Sequence, residues 1–180
     1  MAFYQGKLYA IARDENLRIV NITEEPSTGD PQVFQIEHII PGDPSAAGLD
    51  SLVKKKIYLV ESCGTLLMVC RKICCKKTDM GLVAGRSEFE VFKADLKQSQ
   101  WVQVSTLGDG QMLFLARPCT RAIATSQYGI PGFGMLGDQI FFLDDEVENA
   151  FEEYTFEPEA TFVIAYDMRT SEVSSPLPMV

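Results

Sequence analysis

Few residues in this chain are of types, at spacings, that could do chemistry. Gly132-Phe133-Gly134-Met135-Leu136-Gly137 satisfies the G-x-G-x-x-G pattern of a dinucleotide cradle. That pattern binds a pyrophosphate only between a strand and a helix, where the helix N-terminus receives the phosphates. Here it runs into Asp138-Gln-Ile-Phe-Phe-Leu, which reads as a strand. The segment is therefore an inter-strand loop. Cys63, Cys70, Cys74, Cys75 and Cys119 offer one cluster, Cys70-Arg-Lys-Ile-Cys74-Cys75, and His38 is the only histidine. Structural zinc needs two short paired elements separated by a longer gap, so no metal is expected. An odd cysteine count without an export signal points to free thiols in a reducing compartment. The flanking Arg71, Lys72, Lys76 and Lys77 favour thiolates and hence oxidation.

The acidic run Asp144-Asp145-Glu146-Val147-Glu148 lacks the alternating ligands and central glycine of an EF-hand. No Ser, Cys or Lys has the context of an activated nucleophile, and no catalytic residue, cofactor or metal ligand is expected. Contact with a partner is the better use of these segments. Tyr128 and Phe133 stand among glycines on one loop, and Asp144, Asp145, Glu146 and Glu148 form an acidic insert close by. Exposed aromatics on glycine-rich loops suit protein contact.

The elements that carry these loops are strands. Runs of four to eight β-branched, aromatic and aliphatic residues recur between turn residues. They begin at Ala2–Gln5, Lys7–Ala12, Leu17–Ile22 and Gln32–Glu37, and continue with Lys56–Glu61, Thr65–Ile73, Phe89–Ala94 and Trp101–Thr106. Gln111–Ala116, Arg121–Thr125, Gln139–Leu143, Thr161–Asp167 and Glu172–Ser175 complete them. Only Pro44–Leu52 and Asp144–Glu153 carry helix signals, each with an N-cap aspartate, Asp43 before Pro44 and Asp144 before its acidic first turn. The motifs also repeat. Lys7-Leu-Tyr-Ala-Ile-Ala with Asn16-Leu-Arg-Ile-Val resembles Lys56-Ile-Tyr-Leu-Val-Glu with Thr65-Leu-Leu-Met-Val, and Phe89…Asp95 matches Phe162…Asp167. Grouped by fours, the strands form units near 2–37, 57–106 and 111–175. The expectation is an all-β chain of about three antiparallel four-stranded blades, a partial β-propeller forming a single domain over 1–180. A β-sandwich is the alternative fold.

Length and charge bound the partners. The chain has 180 residues, 46% hydrophobic and 23% charged, enough to bury a core without disulfides or metal. Its net charge of −9 is uneven: residues 1–121 are near balance, whereas 122–180 carry Arg169 alone against eleven acids. Such a half repels a phosphate backbone, so nucleic acid is not an expected partner. No apolar run approaches the length of a membrane helix, and no membrane partner is expected. Met1-Ala-Phe-Tyr-Gln-Gly-Lys-Leu-Tyr9 lacks a basic region followed by an apolar core, so an intracellular location, in cytoplasm or nucleus, is the expectation.

Six stretches resemble a known family. Ile57-Tyr-Leu-Val-Glu-Ser-Cys-Gly-Thr-Leu-Leu-Met-Val, then Phe89-Glu-Val-Phe-Lys-Ala-Asp-Leu, then Trp101-Val-Gln-Val-Ser-Thr-Leu-Gly-Asp are similar to the plant KIB-type β-propeller domain. Leu113-Phe-Leu-Ala-Arg and Gly137-Asp-Gln-Ile-Phe-Phe-Leu-Asp-Asp follow in the same order, and Phe3-Tyr-Gln-Gly-Lys-Leu-Tyr-Ala resembles its kelch-like blade. The resemblance implies about half of such a propeller, without the F-box that usually precedes it. It also implies a non-catalytic protein-recognition role like that of ubiquitin-ligase substrate receptors. The alternative is an enzymatic or small-ligand-binding propeller with its site at the blade axis. Three blades cannot close a ring, so open blade faces are expected to be covered by self-association, by another protein, or by the rest of a longer parental chain.

Overall fold

The structure, a computed structural model, describes residues 1–25, 27–42, 53–78, 81–108, 110–116, 120–127, 137–143 and 163–174. Both stretches with helix signals, 44–52 and 144–153, lie outside the described residues. Those described form thirteen strands and one 3-10 turn at Thr125–Gln127. No helix among them is long and apolar enough to cross a membrane.

The chain is all-β, as expected, and its strands form three sheets. The first holds β1 (Ala2–Tyr4), β2 (Lys7–Ile11), β3 (Leu17–Glu24) and β4 (Pro31–Ile40) in chain order. The second holds β5 (Val53–Ser62), β6 (Thr65–Thr78), β7 (Gly81–Asp95) and β8 (Gln100–Val104), also in chain order. Meandering four-stranded sheets of this kind are propeller blades.

The third sheet departs from that plan. It has five strands: β9 (Gln111–Leu115), β10 (Arg121–Ala124), β11 (Gln139–Leu143), β12 (Val163–Asp167) and β13 (Glu172–Ser174), in the order β10-β9-β11-β12-β13. β10 folds back antiparallel on β9, with Arg121 opposite Phe114. β11 then lies parallel to β9 on its other side, with Phe141 opposite Phe114. Parallel neighbours need a long return connection, and β10 together with residues 125–138 supplies it.

Short turns account for the hairpins. The β1–β2 and β5–β6 links are two residues each, and both residues have positive φ: 46° and 75° at Gln5-Gly6, 47° and 70° at Cys63-Gly64. That is the pattern whose twist matches paired strands. The β7–β8 and β12–β13 links are a second, repeated device. The Asp95 carboxylate accepts hydrogen bonds from the amides of Lys97 and Gln98, both at 3.0 Å. Asp167 accepts from the Arg169 amide at 2.8 Å. Each turn closes on a serine of positive φ, Ser99 (52°) and Ser171 (57°). The resemblance between Phe89…Asp95 and Phe162…Asp167 is therefore a repeated strand-plus-turn, with aspartate drawing the backbone round.

The chain divides into two compact units, one of 1–48, 56–70 and 90–104, the other of 49–55, 71–89 and 105–180. In the first, Tyr9, Leu17, Ile19, Ile40, Leu59 and Leu66 form a buried apolar cluster, with Trp101 packed against it. The Trp101 indole N–H donates to the Glu15 carbonyl at 3.0 Å. The Tyr4 hydroxyl donates to the Gly64 carbonyl at 2.9 Å, so the β1–β2 and β5–β6 turns meet at one rim of this unit. In the second unit, Phe89 packs on Phe142 and Tyr166 with ring centroids 5.0 and 4.8 Å away. The buried Arg71 places its guanidinium carbon 4.3 Å from the centre of the Phe142 ring and donates from Nε to Ser87 Oγ at 3.0 Å.

Candidate functional site

Strand β11 anchors both loops that the sequence singled out. The stretch 128–136 enters through Gly137 at its beginning, and 144–162 leaves from Leu143 at its end and returns at Val163. Tyr128, Phe133, Asp144, Asp145, Glu146 and Glu148 themselves lie outside the described residues. Their anchors do not coincide. Gln139, opposite Asp167, marks one end of β11 and Leu143, opposite Val163, the other. A five-residue strand puts roughly 14 Å between them. The aromatic loop and the acidic insert thus leave the sheet at opposite ends, which their nearness in sequence conceals.

The third glycine of the G-x-G-x-x-G pattern has a structural use. A Cβ on Gly137 would come 2.6 Å from the Cα of Gly110, so only glycine lets the two backbones approach. Asp138 then clamps the junction. Its carboxylate accepts from the Leu107 amide at 2.6 Å, and its amide donates to the Gln111 carbonyl at 2.8 Å. Residue 137 leads into a strand, as expected for an inter-strand loop.

The two carboxylates with displaced pKa values, Asp14 and Asp167, serve turns in the same way. The Arg18 guanidinium, donating to Asp14 through both terminal nitrogens, holds that carboxyl well below the usual carboxylate range; the Asn16 side chain and amide add to it. Burial pushes the Asp167 carboxyl up, but hydrogen bonds from the Arg169 amide and guanidinium outweigh it, and the net direction is down. Burial, with Tyr4 beside it, raises the Tyr9 hydroxyl. The two carboxylate–arginine pairs favour the ions already present, burial keeps the Tyr9 phenol neutral, and none of these shifts creates a base or nucleophile. Among the described residues, no group of three His, Cys, Asp or Glu could hold a metal ion. Cys63 and Cys74 are exposed thiols and Cys70 is a buried one. His38 is exposed on β4, opposite Arg18.

Sequence reasoning missed a surface in the first sheet. Phe3, Ile22, Val33 and Ile36 are large apolar residues with 70%, 51%, 60% and 52% of their surface exposed. The signal was present: in β2 and β3 both alternating sets are apolar, Tyr9 and Ile19 in one, Leu8, Val20 and Ile22 in the other. A strand with two apolar faces has two surfaces to cover.

The chain is 33% identical over 98 residues to an F-box protein of Arabidopsis thaliana, a match covering 54% of this chain and 27% of that protein. The chain thus spans well under two thirds of that relative. No solved structure matches it. Residues 1–167 match the family described as KIB1-4 beta-propeller. With three sheets of blade-like strands over the same span, the chain belongs to the KIB1-4 β-propeller family.

Proposed function

We propose that this chain is a non-catalytic protein-recognition module, the part of an intracellular ubiquitin-ligase substrate receptor that selects the substrate. One observation carries the reading: a KIB1-4 propeller match over residues 1–167, joined to a relative that is an F-box protein. An F-box chain brings its partner to a ligase through a second, recognising domain, and a propeller whose loops vary around rigid sheets suits that task. The loops of the third sheet are the recognising elements here. Tyr128 and Phe133 supply aromatic anchors. The acidic insert, with Asp144, Asp145, Glu146 and Glu148, draws a partner with a basic surface and speeds its approach.

The test is capture from plant extract by the tagged full chain, with and without proteasome inhibition. Two variants run beside it, one lacking 144–159 and one with Tyr128→Ala and Phe133→Ala. A discrete protein that accumulates under inhibition and is lost from either variant is the expected result. Identical capture by all three chains would overturn the loop assignment, and no gain under inhibition would overturn the ligase role.

A further inference from the structure

Strand β3 pairs with β2 only as far as Val20, opposite Leu8, whereas its pairing with β4 runs on to Glu24, opposite Pro31. From Val20 to Glu24 a two-stranded ribbon therefore extends past the rest of the first sheet by about 13 Å. A short loop, residues 25–30, closes its tip. The Glu25 amide donates to the Asp30 carbonyl at 2.9 Å, and the Gly29 amide donates to the Glu25 carbonyl at 2.8 Å. Thr28 Oγ1 is used twice within the loop, donating to the Glu25 carboxylate at 3.0 Å and accepting from the Asp30 amide at 3.2 Å. Ser27 stands differently. It is exposed, and among the described residues its hydroxyl has no hydrogen-bond partner.

We infer that Ser27 is a phosphorylation site for an acid-directed protein kinase. Charge around the hydroxyl selects that class of enzyme. Glu24 and Glu25 stand three and two residues before it, and Asp30 stands three after it. No Lys or Arg occurs between Arg18 and Lys54. A kinase whose substrate cleft is lined by Lys and Arg accepts carboxylates on both sides of the hydroxyl, whereas a cleft lined by carboxylates rejects them. The ribbon supplies the reach, since its tip enters a cleft without the sheet behind it colliding. The tip must also open, because a kinase holds its substrate extended. Two strands without a third are marginally stable, and a loop held by a few exposed hydrogen bonds opens locally at small cost.

Two other hydroxyls among the described residues have an acid at the third following position, and neither matches Ser27. Ser87, ahead of Glu90, is buried in β7 and accepts from Arg71 Nε at 3.0 Å, which closes it to an enzyme. Thr106, ahead of Asp109, is exposed but has no acid among the six residues before it. In the transfer, Ser27 Oγ attacks the γ-phosphorus of ATP and the bond from that phosphorus to the β–γ bridging oxygen breaks. ADP leaves, and the hydroxyl proton passes to the carboxylate base of the kinase. The product adds about two negative charges to a tip that already holds Glu24, Glu25 and Asp30. The ribbon carries no Lys or Arg to draw the phosphate back, so it stays exposed.

Two incubations of the full chain with ATP test this, one with a purified acid-directed kinase of the casein type and one in plant extract, each followed by fragment mass mapping. Phosphate should appear on Ser27 in both, and Ser27→Ala should remove it. Glu24→Gln, Glu25→Gln and Asp30→Asn together should slow the labelling of Ser27 by at least about tenfold. A purified arginine-directed kinase should leave Ser27 unlabelled. Absence of phosphate on Ser27 from either incubation overturns the inference, and so does phosphate confined to Thr106 or Thr155. Labelling unchanged by the three charge substitutions, or equal labelling by the arginine-directed kinase, overturns it as well. None of these variants touches the loops of the third sheet, so partner capture and phosphorylation fail separately.

Discussion

Leu17 and Phe3 stand on opposite faces of one sheet, and truncating each to alanine should give very different results. Leu17 is fully buried, among Tyr9, Ile19, Ile40, Leu59 and Leu66. Leu17→Ala removes about three methylene equivalents at about 0.8 kcal/mol each, so roughly 2.4 kcal/mol of transfer free energy is lost. The cavity left behind raises the cost, and about 3.5 kcal/mol lies within the span measured for such truncations. For a chain of this size that lowers the melting temperature by about 7–14 °C. Phe3 keeps 70% of its surface in water, and Phe3→Ala should cost under about 0.5 kcal/mol. The assay is urea unfolding at about 2 µM, read by fluorescence of Trp101. That residue is the chain's one tryptophan and packs against the same cluster. Comparable losses for the two variants would refute the assignment of faces.

Cys63→Asn should stabilise the chain by up to about 1 kcal/mol in thermal unfolding, because asparagine tolerates the 47° φ of the Cys63-Gly64 turn. Gly137→Ala should cost about 1–3 kcal/mol in the same assay, since its methyl would press on Gly110. The Asp14 carboxyl is held below its unfolded value near 3.9, so its pairing with Arg18 stabilises fully above about pH 5 and fades as pH falls through the folded value. Its side chain is 45% exposed, so Asp14→Asn should lose about 0.2–1 kcal/mol at pH 7 and little at pH 2, as urea midpoints at the two pH values will show. In timed alkylation with peptide mapping, Cys63 and Cys74 should react within minutes and Cys70 only on unfolding.

Much of this fold was legible in the residues. All thirteen strands were anticipated, because alternation and turn residues are local signals. Their lengths were not. β6 runs on to Thr78 through Arg-Lys-Ile-Cys-Cys-Lys-Lys, and β7 starts at Gly81 with a second glycine at 85. Polar runs and glycines read as ends, yet pairing with a neighbouring strand holds them in the ladder. The matched repeat also slipped by one strand: Lys7–Ala12 lies in the second strand of its sheet, Lys56–Glu61 in the first of its own. Hairpins of Leu, Ile and Val resemble one another wherever they sit. The parallel pairing of β9 and β11 is non-local, and no residue spacing announces it. For the candidate site, type and chain position were readable, but the opposite anchoring of its two loops depended on the direction of β11.

Recognition of a protein by the loops of the third sheet is measured most directly by calorimetric titration with the partner captured under proteasome inhibition. The full chain should bind it saturably at one to one with a dissociation constant of about 10 µM or tighter. Removing 144–159, or replacing Tyr128 and Phe133 by alanine, should weaken that binding at least tenfold, about 1.4 kcal/mol. Unchanged affinity in both variants, or no saturable heat with the full chain, would contradict it.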